Sequence, residues 1–160
     1  MPITYGKTSP QDMLAKAERD LARLEAAESA QNDDAMGDAL LDLAVAVTSL
    51  KDWLKEHPGA SFTPVQVEKY VADSTALDSF RDIANGGKHR FIRKYEPETM
   101  DVTGSNATSV LVANNATETP KPFYRIKIIR ADGSRHRAIE LGRDAVREWR
   151  AFMKSHGLMS

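Results

Sequence analysis

The chain contains no cysteine. That excludes a disulfide framework, thiol catalysis and a thiolate metal site, and it suits a reducing compartment. Long apolar runs are missing too. The most apolar stretch, "ALLDLAVAVTSL" from Ala39 to Leu50, is too short and too interrupted to span a bilayer. The opening "MPITYGKTSP" lacks the apolar centre of a signal peptide, so the cytoplasm is the expected location and no membrane partner is expected. The four histidines, His57, His89, His136 and His156, are scattered with no His-x-x-x-His or His-Glu pairing, so no metal site is expected. No Gly-x-Ser-x-Gly elbow is present. Gly87-Lys88 does not close a P-loop, because the glycine spacing is wrong and His89 stands where Ser or Thr is needed. Nothing in the sequence calls for a cofactor.

What is present describes one globular domain. With 160 residues, 41 % apolar and 28 % charged, the chain can bury a core without staples. The net charge of −1 predicts no polyanionic partner by itself. Its distribution is less even. Residues 1–60 carry 6 Lys/Arg against 11 Asp/Glu, a net −5, while residues 101–160 carry 10 against 6, a net +4. Between Arg81 and Lys94 stand five cations, Arg81, Lys88, Arg90, Arg93 and Lys94, against one anion, Asp82. Such polarity lets one face attract phosphate while the whole stays near neutral, and it equally describes a solvated basic turn beside an acidic helix.

The periodicity predicts helices over most of the chain. Ser9 as N-cap and Pro10 at the first helical position open a helix whose Leu14, Ala17, Leu21 and Leu24 recur at three- and four-residue steps. After "QNDDAMG", Met36, Leu40, Leu43, Val47, Leu50 and Leu54 step by 4, 3, 4, 3 and 4, and Pro58 and Gly59 stop the run. Ala39, Leu41, Ala44, Val45 and Trp53 widen this stripe, which marks the helix as central. Thr63-Pro64 starts a shorter helix, and Asp73 or Ser74 caps the next, whose buried stripe is Leu77, Phe80, Ile83 and Ala84. Residues 8–95 thus read as an up-and-down bundle of about four helices. A β appendage is expected over 100–141. It includes a β-like run at Ser109–Ala113 and a hairpin in "FYRIKIIRADGSRHRAIEL", with a type I′ turn at Asp132-Gly133 and a return strand reaching Ile139 and Leu141. A last helix is expected over 142–157, with Val146, Trp149, Phe152 and Met153 on one face and Gly157 as C-cap. The fold class is therefore mainly α, a helical bundle with a small antiparallel β element, in one domain over 1–160.

The stretch "RDIANGGKHRF", Arg81 to Phe91, gathers an Arg, an Asn, a Lys and a His around two glycines. Two readings of the glycines stand open. A continuous helix puts 81, 85 and 88/89 along one face, although each interior glycine costs roughly 1 kcal/mol. A helix C-terminus instead gives Asn85 and the glycines left-handed conformations, with Lys88 and His89 complementing the dipole. A His near neutral pKa beside an Arg and a Lys suits metal-free phosphate chemistry, because the His moves a proton while the guanidinium holds charge on phosphate oxygens. RNA is the natural substrate for such a group, since its 2′-OH serves as the nucleophile.

"VTSLKDWLKEH" followed by "FRDIANGGKHRF" resembles a group of small bacterial proteins with a "T-A-x-x-L-x-D-W" helix and then "R-D-[IL]-x-N-G-x-K-H". The same residues are similar to the HEPN superfamily (higher eukaryotes and prokaryotes nucleotide-binding), over about residues 35–95. The resemblance implies a compact, often homodimeric helical bundle. It implies a metal-independent ribonuclease or RNA-binding protein of toxin–antitoxin, abortive-infection or other phage-defence systems, with an antitoxin or defence protein as partner. Carried over, the motif's Arg is Arg81, its polar neighbour Asp82 and its His is His89. Arg81 and His89 become the candidate catalytic pair, and Asn85, Lys88, Arg90 and Arg93 the candidate phosphate-binding residues. The Arg-to-His gap is longer here than in the family, because Gly86-Gly87 lies inside it. The alternative is a non-catalytic interaction module of phage or bacterial origin in which the motif is structural.

Three further groups invite two readings each. Trp53 and Trp149 are core or interface anchors before they are base-stacking platforms. Arg125, Lys127, Arg130, Arg135 and Arg137 form a basic hairpin that tracks a nucleic-acid backbone or is a solvated strand face. Asp38 and Asp42 orient Arg81 across the bundle or form an exposed acidic face.

Overall fold

Each of the first three helices begins where a side chain can satisfy its free N–H groups. Ser9 and Asp12 form a reciprocal capping box for α1, Pro10–Ser29, and Pro10 fills the first helical position. Asn32 accepts the Ala35 N–H at 3.0 Å and starts α2, Asp33–Lys55. Thr63 and Gln66 repeat the capping box for α3, Pro64–Asp73. Ser74 receives the Leu77 N–H at 3.0 Å at the head of α4, Thr75–Lys88. The computed structural model describes residues 6–88, 99–106 and 124–160. Beyond α4 it contains β1 (Thr99–Asn106), β2 (Tyr124–Arg130), β3 (Arg135–Arg137) and α5 (Ala138–Ser155).

The protein is a helical bundle carrying a small antiparallel sheet and a C-terminal helix. α2 is its centre and packs against α1, α3, α4 and α5. Met36, Leu40, Leu43, Val47, Leu50 and Leu54 are all buried, as their spacing predicts. Leu41 departs from that stripe and is 40 % exposed. α5 closes the bundle: Trp149 has no exposed surface, and its indole N–H donates to the Val47 carbonyl at 2.9 Å in the middle of α2. Trp149 is thus a core anchor, and Trp53 packs half-buried on the same core. Gly142 lets α5 approach the other helices closely. A Cβ there would lie 2.8 Å from Leu21 Cδ1 and 3.0 Å from Leu43 Cδ2. At the far end Gly157, with φ +72°, terminates α5, and Leu158 N–H returns to the Met153 carbonyl at 2.8 Å.

The sheet has the order β1-β2-β3, antiparallel throughout, with an irregularity between Thr99 and Asp101. Three features differ from the sequence reading. First, β1 occupies Thr99–Asn106, while the expected run at Ser109–Ala113 lies outside the described residues. Second, the hairpin turn is not type I′, which needs positive φ at both central residues. Only Gly133 has positive φ, at +84°, and bonds run from Gly133 N–H to Arg130 O and from Arg130 N–H to Ser134 O. This is a three-residue loop ending in a left-handed glycine. Third, β3 stops at Arg137 and α5 starts at Ala138, four residues before Gly142. Ala138, Ile139, Leu141, Gly142, Ala145 and Val146 are all buried, which is helical spacing and not alternation. The sheet is also bound into the bundle, since Ile128 is fully buried in the common core.

Candidate functional site

α4 remains helical through Gly86-Gly87 to Lys88. Neither Asn85 nor Gly86 is left-handed, so the helix does not end at them as a glycine cap. The backbone therefore sets positions 81, 85 and 88 at i, i+4 and i+7 along one face. Asn85 is half-buried and Gly86 exposed. His89, Arg90 and Arg93 lie outside the described residues.

The Arg81 end of the motif is built around a buried carboxylate. Asp78, one turn earlier, has a side chain only 5 % exposed. Arg81 Nη2 donates to Asp78 Oδ1, and Arg130 Nη2, from the end of β2, donates to Asp78 Oδ2 at 3.0 Å. The two guanidinium groups thus hold separate oxygens of one carboxylate. Arg130 is further fixed by Nη1, which donates to Ser79 Oγ at 2.5 Å and to the Thr75 carbonyl at 3.2 Å. The Ser79 hydroxyl, fully buried, donates onward to the Thr75 carbonyl at 2.7 Å. Asp82, the polar residue that follows Arg81, is buried as well, with Oδ1 3.9 Å from Arg81 Nη2. Two arginines and two aspartates therefore balance one another where α4 meets the sheet. Burying a charge this deeply is tolerable only with such pairing.

Asp82 stood in the motif as its polar residue, but the sequence reading did not single out Asp78 or Ser79, and it placed Arg130 only in the basic hairpin. Its buried stripe on α4 was the apolar one, Leu77, Phe80, Ile83 and Ala84. The available signal was Arg130 itself, which shares strand parity with Ile126 and Ile128 and so belongs to the inward face of β2. An arginine on that face needs an acid opposite it. Asp38 and Asp42 do not orient Arg81: Asp42 pairs with Arg23 at 2.9 Å, and Asp38 is exposed.

The basic hairpin is largely spoken for. Arg137 Nη2 lies 3.1 Å from Glu28 Oε1, Arg125 Nε lies 3.8 Å from the same oxygen, and Arg130 is held by Asp78. Glu28 sits at the end of α1 with its side chain 8 % exposed. Among the described residues no ion pair holds the other two, Lys127, half-buried, and Arg135, exposed. Among the described residues no three His, Asp or Glu side chains converge as a metal-binding group. No helix among them is long and apolar enough to cross a membrane.

No protein-family model matches the chain, and no curated protein or solved structure matches it either.

Proposed function

We propose that the chain is a HEPN-like, cytoplasmic helical protein directed at RNA, acting as a homodimer in a toxin or phage-defence setting. In this reading the end of α4 and the cations after it hold the phosphate backbone. The observation that carries it is the continuity of α4 to Lys88. That continuity aligns positions 81, 85 and 88 and delivers the chain directly into a cation-rich stretch. Residues 83–94 contain Lys88, Arg90, Arg93 and Lys94 and no Asp or Glu. Backbone contacts of this kind supply affinity without sequence readout.

Cleavage asks more than binding. His89 would move the proton and Arg81 would face the phosphorane, yet Arg81 rests on Asp78. A guanidinium already neutralised by a buried carboxylate offers little net charge to a phosphate. The resting arrangement therefore favours RNA retention over turnover. The same ion pair favours the second reading, a non-catalytic interaction module in which the motif is structural.

Anisotropy of a labelled single-stranded RNA, measured across a salt series with EDTA present, separates these readings. Binding should weaken with salt, and Lys88→Ala, Arg90→Ala and Arg93→Ala should each lower the log–log slope by about 0.7. Cleavage is scored on the same RNA by 2′,3′-cyclic phosphate ends, with His89→Ala as the comparison. The absence of salt-dependent binding by the wild type would leave only the interaction module standing.

A further inference from the structure

Leu41 stands on the outward face of α2 and is one of two large apolar side chains left exposed among the described residues. Its surroundings are the two helices of one hairpin. α1 and α2 run antiparallel across the turn at 30–32, with Arg23 opposite Asp42 at 2.9 Å. Their outward faces carry opposite charge. α1 presents Arg19, Arg23 and the exposed alanines Ala22 and Ala26, because its acids turn elsewhere: Glu18 and Glu25 to Arg150 and Arg143 of α5, and Asp20 inward. α2 presents Leu41 among Asp34, Asp38 and Asp42, and has no Lys or Arg before Lys51. We propose that this face is a homodimer interface, with α1 of each copy laid on α2 of the other about a two-fold axis parallel to the helices. The proposal gives the homodimer of the reading above a defined surface and rests on that part of it alone.

The face is its own complement. A two-fold contact uses the same patch on both copies, so the patch must hold both members of each pairing. Stacking α1 on α1, or α2 on α2, sets like charges against each other, whereas α1 on α2 sets arginines against aspartates. An axis parallel to the helices keeps every residue at its own level along the hairpin. With Arg23 opposite Asp42, Leu41 is level with the gap between Ala22 and Ala26, and it enters that gap in the other copy as a knob enters a hole. Arg19 and Arg23 of one copy then lie about one helical turn from Asp42 and Asp38 of the other, within reach of an arginine side chain.

Sedimentation equilibrium of the full chain without RNA is the test. The wild type should be a dimer. Leu41→Ala should weaken it about a hundredfold, tenfold for each of its two occurrences across the axis. Leu41→Asp should give a monomer with the helix content of the wild type. Charge reversal adds a test that misfolding does not imitate. Arg19→Glu with Arg23→Glu makes both outward faces acidic, and Asp38→Lys with Asp42→Lys makes both basic. Each of these chains should be monomeric alone, and an equal mixture should form a heterodimer. The lack of native cysteine lets oxidative cross-linking read the register. Leu41→Cys should couple to Ala22→Cys or Ala26→Cys in a mixture, and not to itself. A monomeric wild type overturns the proposal, as does a dimer indifferent to Leu41→Asp or one in which Leu41→Cys couples to itself. RNA binding by a monomeric wild type would leave the RNA reading standing while the interface falls, and a dimer that binds no RNA would do the reverse.

Discussion

Replacing glycine by alanine inside a helix ordinarily stabilises it, and this protein has two helical glycines where that rule should split. At Gly37, in α2, an added Cβ has nothing within 4 Å. Gly37→Ala should therefore collect most of the propensity difference, about 1 kcal/mol. At Gly142 the same Cβ meets Leu21 Cδ1 at 2.8 Å, Leu43 Cδ2 at 3.0 Å and Phe80 Cζ at 3.8 Å, atoms from three different helices. Leu21 is half-buried and can turn aside, but Leu43 and Phe80 have no exposed surface and nowhere to go. Overpacking of that kind costs about 1–3 kcal/mol, which cancels or reverses the propensity gain.

The quantity to measure is the difference between the two variants, because propensity is common to both and drops out. A separation of about 2 kcal/mol, at a urea m-value near 2 kcal/mol/M, places the two midpoints about 1 M apart, with Gly142→Ala the lower. Gly142→Leu should fall further still. Equal stabilisation by Gly37→Ala and Gly142→Ala would refute the seating of α5 against α1, α2 and α4, and with it the placement of Trp149.

Trp149→Ala should lower stability by about 3–5 kcal/mol in urea unfolding, since it empties a fully buried site and removes the indole's bond to the Val47 carbonyl. Trp53→Ala, at a half-buried position, should cost clearly less, and the reverse order would contradict the core assignment. Asp12 has its carboxyl held below the ordinary aspartate range, first by the Thr8 backbone N–H and then by the Ser9 hydroxyl. A depressed folded-state pKa contributes stability above the unfolded value and loses it as pH falls through the folded one. Wild type should therefore lose more stability than Asp12→Asn between pH 5 and pH 2.5, in the window below about pH 4. Identical acid profiles would mean that the capping box does not form in solution.

Helix starts were readable because they depend on neighbours in sequence. Ser9-Pro10 and Thr63-Pro64 each cap within three residues, so their partners travel with them. The strand β1 was not readable, because Asp101, Gly104, Ser105 and Asn106 have little intrinsic strand preference. Pairing with β2, whose partner residues lie 18 to 31 positions further along the chain, is what makes this segment a strand. The start of α5 was misplaced because Arg137, Ile139 and Leu141 alternate convincingly while Ala138, equally buried, is too small to break the pattern. The candidate site divides the same way. Arg81 and Asn85 could be picked from the motif, but the partner that decides what Arg81 can do involves Arg130 on a strand 49 positions away.

The charge polarity of the sequence illustrates how such non-local partners change a functional reading. An acidic first third and a basic last third looked like a surface arranged for a polyanion. In the fold the acids of α1 face the arginines of α5 and Arg137 before it. Glu18 pairs with Arg150 and Glu25 with Arg143, one heptad apart on both α1 and α5, which is the register of antiparallel neighbours. Glu28 continues the series to Arg137. The two exposed pairs, Glu18–Arg150 and Glu25–Arg143, contribute little each, about 0–1 kcal/mol, but the series fixes α1 beside α5 and offsets the field that either set of charges would project alone. On the proposed RNA reading, attraction for phosphate comes from a stretch whose cations have no acids interleaved. The residues after Asp82, from Lys88 to Lys94, have that composition, so Lys88, Arg90 and Arg93 are a sharper target for mutagenesis than the arginines of the hairpin.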